Sequence, residues 1–138
     1  AGKIKPNAIT NHISAHWDIF PTFCEIADVE TPENLDGISF LPTLLGKGSQ
    51  QKHEYLYWEF HERSGARAVR FQNWKAVQKN LKKQKDPPIE IYNLKSDPSE
   101  VKNLAKENSD IITRVKQIFS EAHSPSEIWK MWFRHSIY

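Results

Sequence analysis

Residues 54–78, EYLYWEFHERSGARAVRFQNWKAVQ, decide the fold. Aromatic and β-branched residues recur with a period of two in Glu54–Phe60, Ala66–Phe71 and Trp74–Gln78, the alternation of half-buried strands. Gln72-Asn73 is all that separates the second run from the third, so a hairpin joins them. Ile89–Asn93 reads as a fourth strand, and Lys79–Pro88, with four Lys and a proline pair, as an exposed loop. Four runs joined this way predict an antiparallel sheet.

Helical periodicity flanks the sheet on both sides. Downstream, Ile111, Ile112, Val115, Ile118, Phe119 and Ala122 line one face of a helix over Ser109–Ala122, which is expected to cover the sheet. Asp97-Pro98-Ser99-Glu100 carries the cap, proline and back-reaching Glu of a helix start. Ser124-Pro125-Ser126-Glu127 repeats it ahead of a short helix with Ile128, Trp129, Met131, Trp132 and Phe133. Upstream, Asp18 is the expected cap of a helix over residues 19–28, with Pro21 harmless in its first turn. Ser39 caps a short turn, Phe40–Leu45, stopped by Gly46. The fold class is therefore α+β: roughly four antiparallel strands packed against a long C-terminal helix, preceded by a helical segment.

At 138 residues the chain suits one domain able to bury about two thirds of its unfolded surface. Hydrophobic residues make up 38% and charged residues 26%, with five Trp, a composition that supports a packed core rather than disorder. No apolar run approaches the roughly 18–20 residues of a membrane helix, and AGKIKPNAIT lacks the pattern of a signal peptide, so no membrane partner is expected. The net charge is only +2, yet Glu62–Lys85 holds eight basic residues against Glu62 alone, leaving the rest net negative. That stretch could favour an anionic partner, although a solvated loop accounts for much of it. Internal repeats and low-complexity tracts are absent from the sequence.

Few residues carry the marks of chemistry. Cys24 falls on the apolar face of its helix beside Phe20, Phe23 and Ala27, where a buried thiol is a poor nucleophile. His12 and His16 are four apart, but in an extended segment with no third ligand in sight. Gly46 and Gly48 lack the Lys-Ser/Thr of a phosphate loop. The lysines of 79–85 have no interleaved aromatics, so nucleic acid is not an expected partner. More informative is Trp58-Glu59-Phe60-His61-Glu62-Arg63, which gathers an aromatic ring, carboxylates, an imidazole and a guanidinium where a strand gives way to a loop. Its other reading is a half-buried strand in which Trp58 and Phe60 alternate with Glu59 and His61. Arg67 and Arg70 are suited to sulfate, phosphate or carboxylate oxygens, or are solvated or paired across the sheet. Trp58 and Trp74 are core residues or sugar-stacking platforms.

The order of short motifs resembles the C-terminal portion of type I sulfatases. Asp18-Ile19-Phe20-Pro21-Thr22, Pro32, Asp36-Gly37-Ile38-Ser39-Phe40-Leu41-Pro42, Leu44 and Gly46 are similar to the segment that closes the catalytic domain of these enzymes. Leu56-Tyr57-Trp58-Glu59, Ala68-Val69-Arg70, Trp74-Lys75, Ile91-Tyr92-Asn93-Leu94, Asp97-Pro98-Ser99-Glu100 and Asn103-Leu104-Ala105 continue the likeness, with Asn93 where the family more often has Asp. The resemblance implies that residues 1–47 end an α/β catalytic domain of the alkaline-phosphatase-like superfamily and that 48–138 form the C-terminal subdomain.

It also implies sulfate-ester hydrolysis by an arylsulfatase-like enzyme, using a formylglycine in a Cys/Ser-x-Pro/Ala-x-Arg motif beside a calcium ion. Neither Cys24-Glu25-Ile26-Ala27-Asp28 nor Ser96-Asp97-Pro98-Ser99-Glu100 fits that motif, so both cofactors are expected outside this segment and the chain alone is expected to be inactive. Its partners would be the remainder of its own chain and a sulfated small molecule or glycan. His61, Glu62 and Arg63, with Trp58, are the candidate substrate-binding residues. Ile19, Phe20, Phe23 and Leu44 would pack on missing elements, so self-association of the isolated piece is expected. The family implies a periplasmic or secreted location. A non-catalytic carbohydrate-binding module using Trp58 and Trp74, and a related phosphodiesterase or phosphonate hydrolase, are the rival readings.

Overall fold

The computed structural model describes residues 2–128 and divides into two compact units, Ala1–Glu54 and Tyr55–Tyr138. In the first unit a 3₁₀ turn, His16–Asp18, runs into α1, Ile19–Ala27, and a loop leads to α2, Leu41–Leu45. Asp28 ends α1 in the left-handed region at φ 54°, and the Val29 N–H closes on the Cys24 carbonyl at 3.0 Å. Gly46 ends α2 in the same way at φ 62°. Ser39 Oγ accepts from the Leu41 N–H at 3.2 Å, as a cap does.

Asp18 does not cap α1 as expected. The 3₁₀ turn moves the helical start back to Ala15, and the wholly buried Asp18 carboxylate accepts from the Ala15 N–H at 2.7 Å and the Ile38 N–H at 2.9 Å. His53 Nε2 lies 2.8 Å from the same group. Thr22 extends the stitching, its hydroxyl donating to the Asp18 carbonyl at 2.6 Å and accepting from the Phe40 N–H at 3.0 Å. Gly37 passes so close to Trp17 that a Cβ there would lie 2.3 Å from the Trp17 carbonyl oxygen. The loop after α1 is thus fixed by a carboxylate, a hydroxyl and a missing side chain.

The second unit is an antiparallel meander in the order β1 (Leu56–Phe60), β2 (Ala66–Phe71), β3 (Trp74–Lys79) and β4 (Ile89–Asn93), with α3 (Ser109–Glu121) after it. This is the expected α+β class with four strands and a covering helix. Registered pairs align Tyr57, Val69, Ala76 and Ile91 in one rung and Glu59, Arg67, Gln78 and Ile89 in the next. Val69, Phe71, Ala76, Ile89 and Ile91 form one core with Val115, Ile118 and Phe119 of α3. The apolar stripe read from sequence is the buried face of the helix.

Three local expectations fail in this unit. Asp97-Pro98-Ser99-Glu100 starts no helix. Glu100 turns left-handed at φ 56°, and the Asp97 carboxylate accepts from the Lys102 N–H at 2.8 Å, bending the chain into a loop instead. That loop returns Leu104 N–H to the Ile91 carbonyl at 2.9 Å and Asn103 Oδ1 to the Ile91 N–H at 3.1 Å, covering the edge of β4. Nor is the Lys-rich loop simply exposed. Leu81 is buried and bonds the Gly65 carbonyl at 3.2 Å, Lys82 bonds the Ser64 carbonyl at 2.9 Å, and Gln78 Nε2 donates to the Pro87 carbonyl at 2.6 Å. Ser124–Glu127 is not helical, and the expected aromatic helix with Trp129, Met131, Trp132 and Phe133 lies outside the described residues.

Candidate substrate-recognition site

The end of β1 carries a polar network. Strand alternation turns Tyr57 and Glu59 toward α3, and the register sets Glu59 opposite Arg67. His61 Nε2 lies 2.9 Å from one Glu59 oxygen and His123 Nδ1 2.6 Å from the other, while the Tyr57 hydroxyl donates to the same carboxylate. Burial alone would raise the Glu59 carboxyl, but the hydrogen bonds from Tyr57, His123 and His61 outweigh it and hold the group below the usual carboxylate range. Burial, reinforced by the Glu59 carboxylate, pushes the Tyr57 phenol up.

Arg67 continues this polar rung. Its Nε donates to Gln78 Oε1 at 2.8 Å, and its guanidinium carbon sits 4.1 Å from the centre of the Phe119 ring. Burial lowers the Arg67 pKa, and the neighbouring Tyr57, Glu59 and Asp86 counter it. A guanidinium keeps its charge in such surroundings.

The candidate residues named from sequence are not one cluster. His61 is held by Glu59, with its side chain 14% exposed, at the mouth of the β1–β2 turn. Glu62 and Arg63 are exposed on the turn itself, Arg63 at φ 55°. Trp58 alternates with Glu59 and so lies on the other face of the sheet, 39% exposed, with Phe60 at 53%. The strand alternates as read, but the face turned to α3 is that of Tyr57 and Glu59. Trp58 and Trp74 also fall on opposite faces: Trp58 pairs through Ala68 to Val77, whereas Trp74 packs against the core. They cannot form one platform for a sugar. Sequence reading missed the roles of Tyr57, Glu59 and His123; the step of two along Tyr57, Glu59 and His61 was the available signal.

Cys24 is buried in α1, and among the described residues no group of three or more His, Cys, Asp or Glu is placed to hold a metal ion. The described side chains therefore do not fit a calcium or formylglycine site.

The family model described as N-sulphoglucosamine sulphohydrolase, C-terminal, matches residues 1–124. The chain is similar to a Delta 4,5-hexuronate-2-O-sulfatase of Bacteroides thetaiotaomicron, 35% identical over 95 residues that cover 65% of this chain and 19% of that protein. It is also similar to an ulvan-active sulfatase of Formosa agariphila, 32% identical over 133 residues, covering 74% of this chain and 26% of the relative. A solved 2-O GAG sulfatase matches with a TM-score of 0.67 at 30% identity, over 76% of this chain and 23% of its own. The chain spans about a fifth to a quarter of the length of these relatives.

Proposed function

Because the chain belongs to the N-sulphoglucosamine sulphohydrolase C-terminal family, we propose that it is the C-terminal part of an enzyme that hydrolyses sulfate esters on a glycan, serving stability and substrate recognition. The catalytic centre, with its formylglycine and calcium, belongs to the part of such an enzyme that this chain does not include. One observation carries the recognition role. The Glu59 carboxylate, itself tied to Tyr57 and to His123 at the end of α3, fixes the His61 ring at the start of the turn that bears Glu62 and Arg63. A turn anchored at its first residue presents the exposed Arg63 guanidinium, a donor to sulfate, carboxylate or hydroxyl oxygens, while the His61 ring, with Nε2 on Glu59 and Nδ1 buried, holds the turn in place. A sugar hydroxyl that satisfies such groups is favoured over an analogue that leaves them unpaired.

The partner reading follows from the first unit. Phe20, Phe23 and Ile26 of α1 are 53%, 63% and 55% exposed, while Ile19 and Leu44 are half-buried. That apolar face suits the remainder of the enzyme or, failing it, a second copy of the chain.

Kinetics of the complete enzyme test the recognition role. Arg63→Ala should raise KM for a sulfated oligosaccharide by about tenfold or more, the range of one lost charge-assisted hydrogen bond, and His61→Ala, which loosens the turn, should raise it by less, with kcat nearly unchanged in both. Unaltered KM in both variants would remove the turn from substrate recognition.

A further inference from the structure

The core face of the sheet is apolar along the Val69–Ala76–Ile91 rung but polar along the Arg67–Gln78–Ile89 rung. Gln78 is 1% exposed and both ends of its amide are engaged, the oxygen by Arg67 Nε and the nitrogen by the Pro87 carbonyl. Burying an amide and a guanidinium where aliphatic side chains would fill the same space costs desolvation, which only their pairing offsets. This rung does not close under α3. It floors a cleft of about 370 Å³, within the range of small-ligand sites, whose walls include Arg67, Lys116, Phe119, Ser120 and His123.

We propose that this cleft binds an acidic sugar unit of a sulfated glycan. The ligand class rests on the sulfatase reading above; the location rests on the cleft alone. Arg67 at the floor and Lys116 on α3 bracket the space with fixed positive charge. Phe119 and Ile89 supply an apolar wall for the C–H face of a pyranose ring. Asp86 is the opposing charge in the lining, and Glu59, set opposite Arg67, is bonded to His61 and His123, so Lys116 is the exposed cation of the lining. Leu81 and Lys82 tie the β3–β4 loop to the Gly65 and Ser64 carbonyls and Gln78 ties it through the Pro87 carbonyl, while Lys83 and Lys85 stay exposed. Of the eight basic residues in Glu62–Lys85, Arg67 is the one that lines the cleft, and the others add long-range attraction for a polyanion.

Fluorescence anisotropy with labelled dextran sulfate oligosaccharides, run on the 138-residue chain at low salt, tests this. Neutral dextran and polyglutamate serve as comparison probes, and circular dichroism verifies folding of each variant. Ser120→Trp fills the mouth without changing charge and should abolish specific binding. Lys116→Glu should weaken it on the order of tenfold. Failure to bind dextran sulfate, binding indifferent to Ser120→Trp, or equal binding of polyglutamate would each overturn the proposal. Turnover of a sulfated glycan by the complete enzyme is a separate readout: its absence would sink the sulfatase reading, whereas the anisotropy result decides the cleft.

Discussion

Glu59 on β1 and His123, 64 positions later and just past α3, are joined by a 2.6 Å contact that ties the first strand to the end of the covering helix. Its electrostatics set a pH dependence. The Glu59 carboxyl is held below its ordinary value in the folded chain, so its contribution to stability is present above the ordinary carboxylate pKa of about 4.3 and is lost as pH falls through the folded value. The Tyr57 phenol is raised, so its contribution is complete below the ordinary pKa of about 10 and is lost as pH climbs toward the folded one. Urea denaturation across pH should show Glu59→Gln flattening the acid limb and Tyr57→Phe the alkaline limb. Unchanged limbs would contradict the network. Glu59→Ala should cost about 1–3 kcal/mol at neutral pH by leaving its donors unmatched.

The first unit depends on Asp18 and Gly37. Asp18→Ala strands the part-buried donors of Ala15, Ile38 and His53 and should destabilise by about 2–4 kcal/mol. Gly37→Ala should be at least as damaging as an average core substitution, above about 1 kcal/mol, because of the 2.3 Å approach to the Trp17 carbonyl. Thermal unfolding followed by Trp fluorescence reads both. His53→Ala, which removes one partner and leaves two backbone donors in place, should cost less than Asp18→Ala; the reverse order would mean that the carboxylate is not the organising group.

Much of this was legible in the sequence because the signals are local. The stripe from Ile111 to Phe119 repeats at helical spacing and becomes the buried face of α3, and the period of two in β1 to β3 fixes which residues share a side. The side that faces the helix was not legible, since Tyr57-Glu59 and Trp58-Phe60 are both amphipathic choices and only pairing with Val69 and Arg67 decides between them. Asp97 misled because a carboxylate before proline suits both a helix cap and a loop turn, and the return of Asn103 and Leu104 to Ile91 favours the turn. His123 and His53 gave no signal at all. Each acts on a carboxylate far away in the chain, and no periodic pattern encodes such a pair.

The apolar face of α1 predicts weak self-association of the isolated chain. Sedimentation equilibrium over a wide concentration range should show a rising average mass, and Phe20→Asp with Phe23→Asp should return it to that of one chain. A strict monomer that also fails to bind an apolar dye would remove the basis for this expectation.

On the proposed reading these residues recognise and support but do not hydrolyse. The most direct test is release of inorganic sulfate from an aryl sulfate and from a sulfated oligosaccharide by the purified 138-residue chain, with calcium supplied. The expected result is no turnover above the uncatalysed rate. Sulfate release that co-purifies with the chain and disappears on substitution of one of its own side chains would contradict the account.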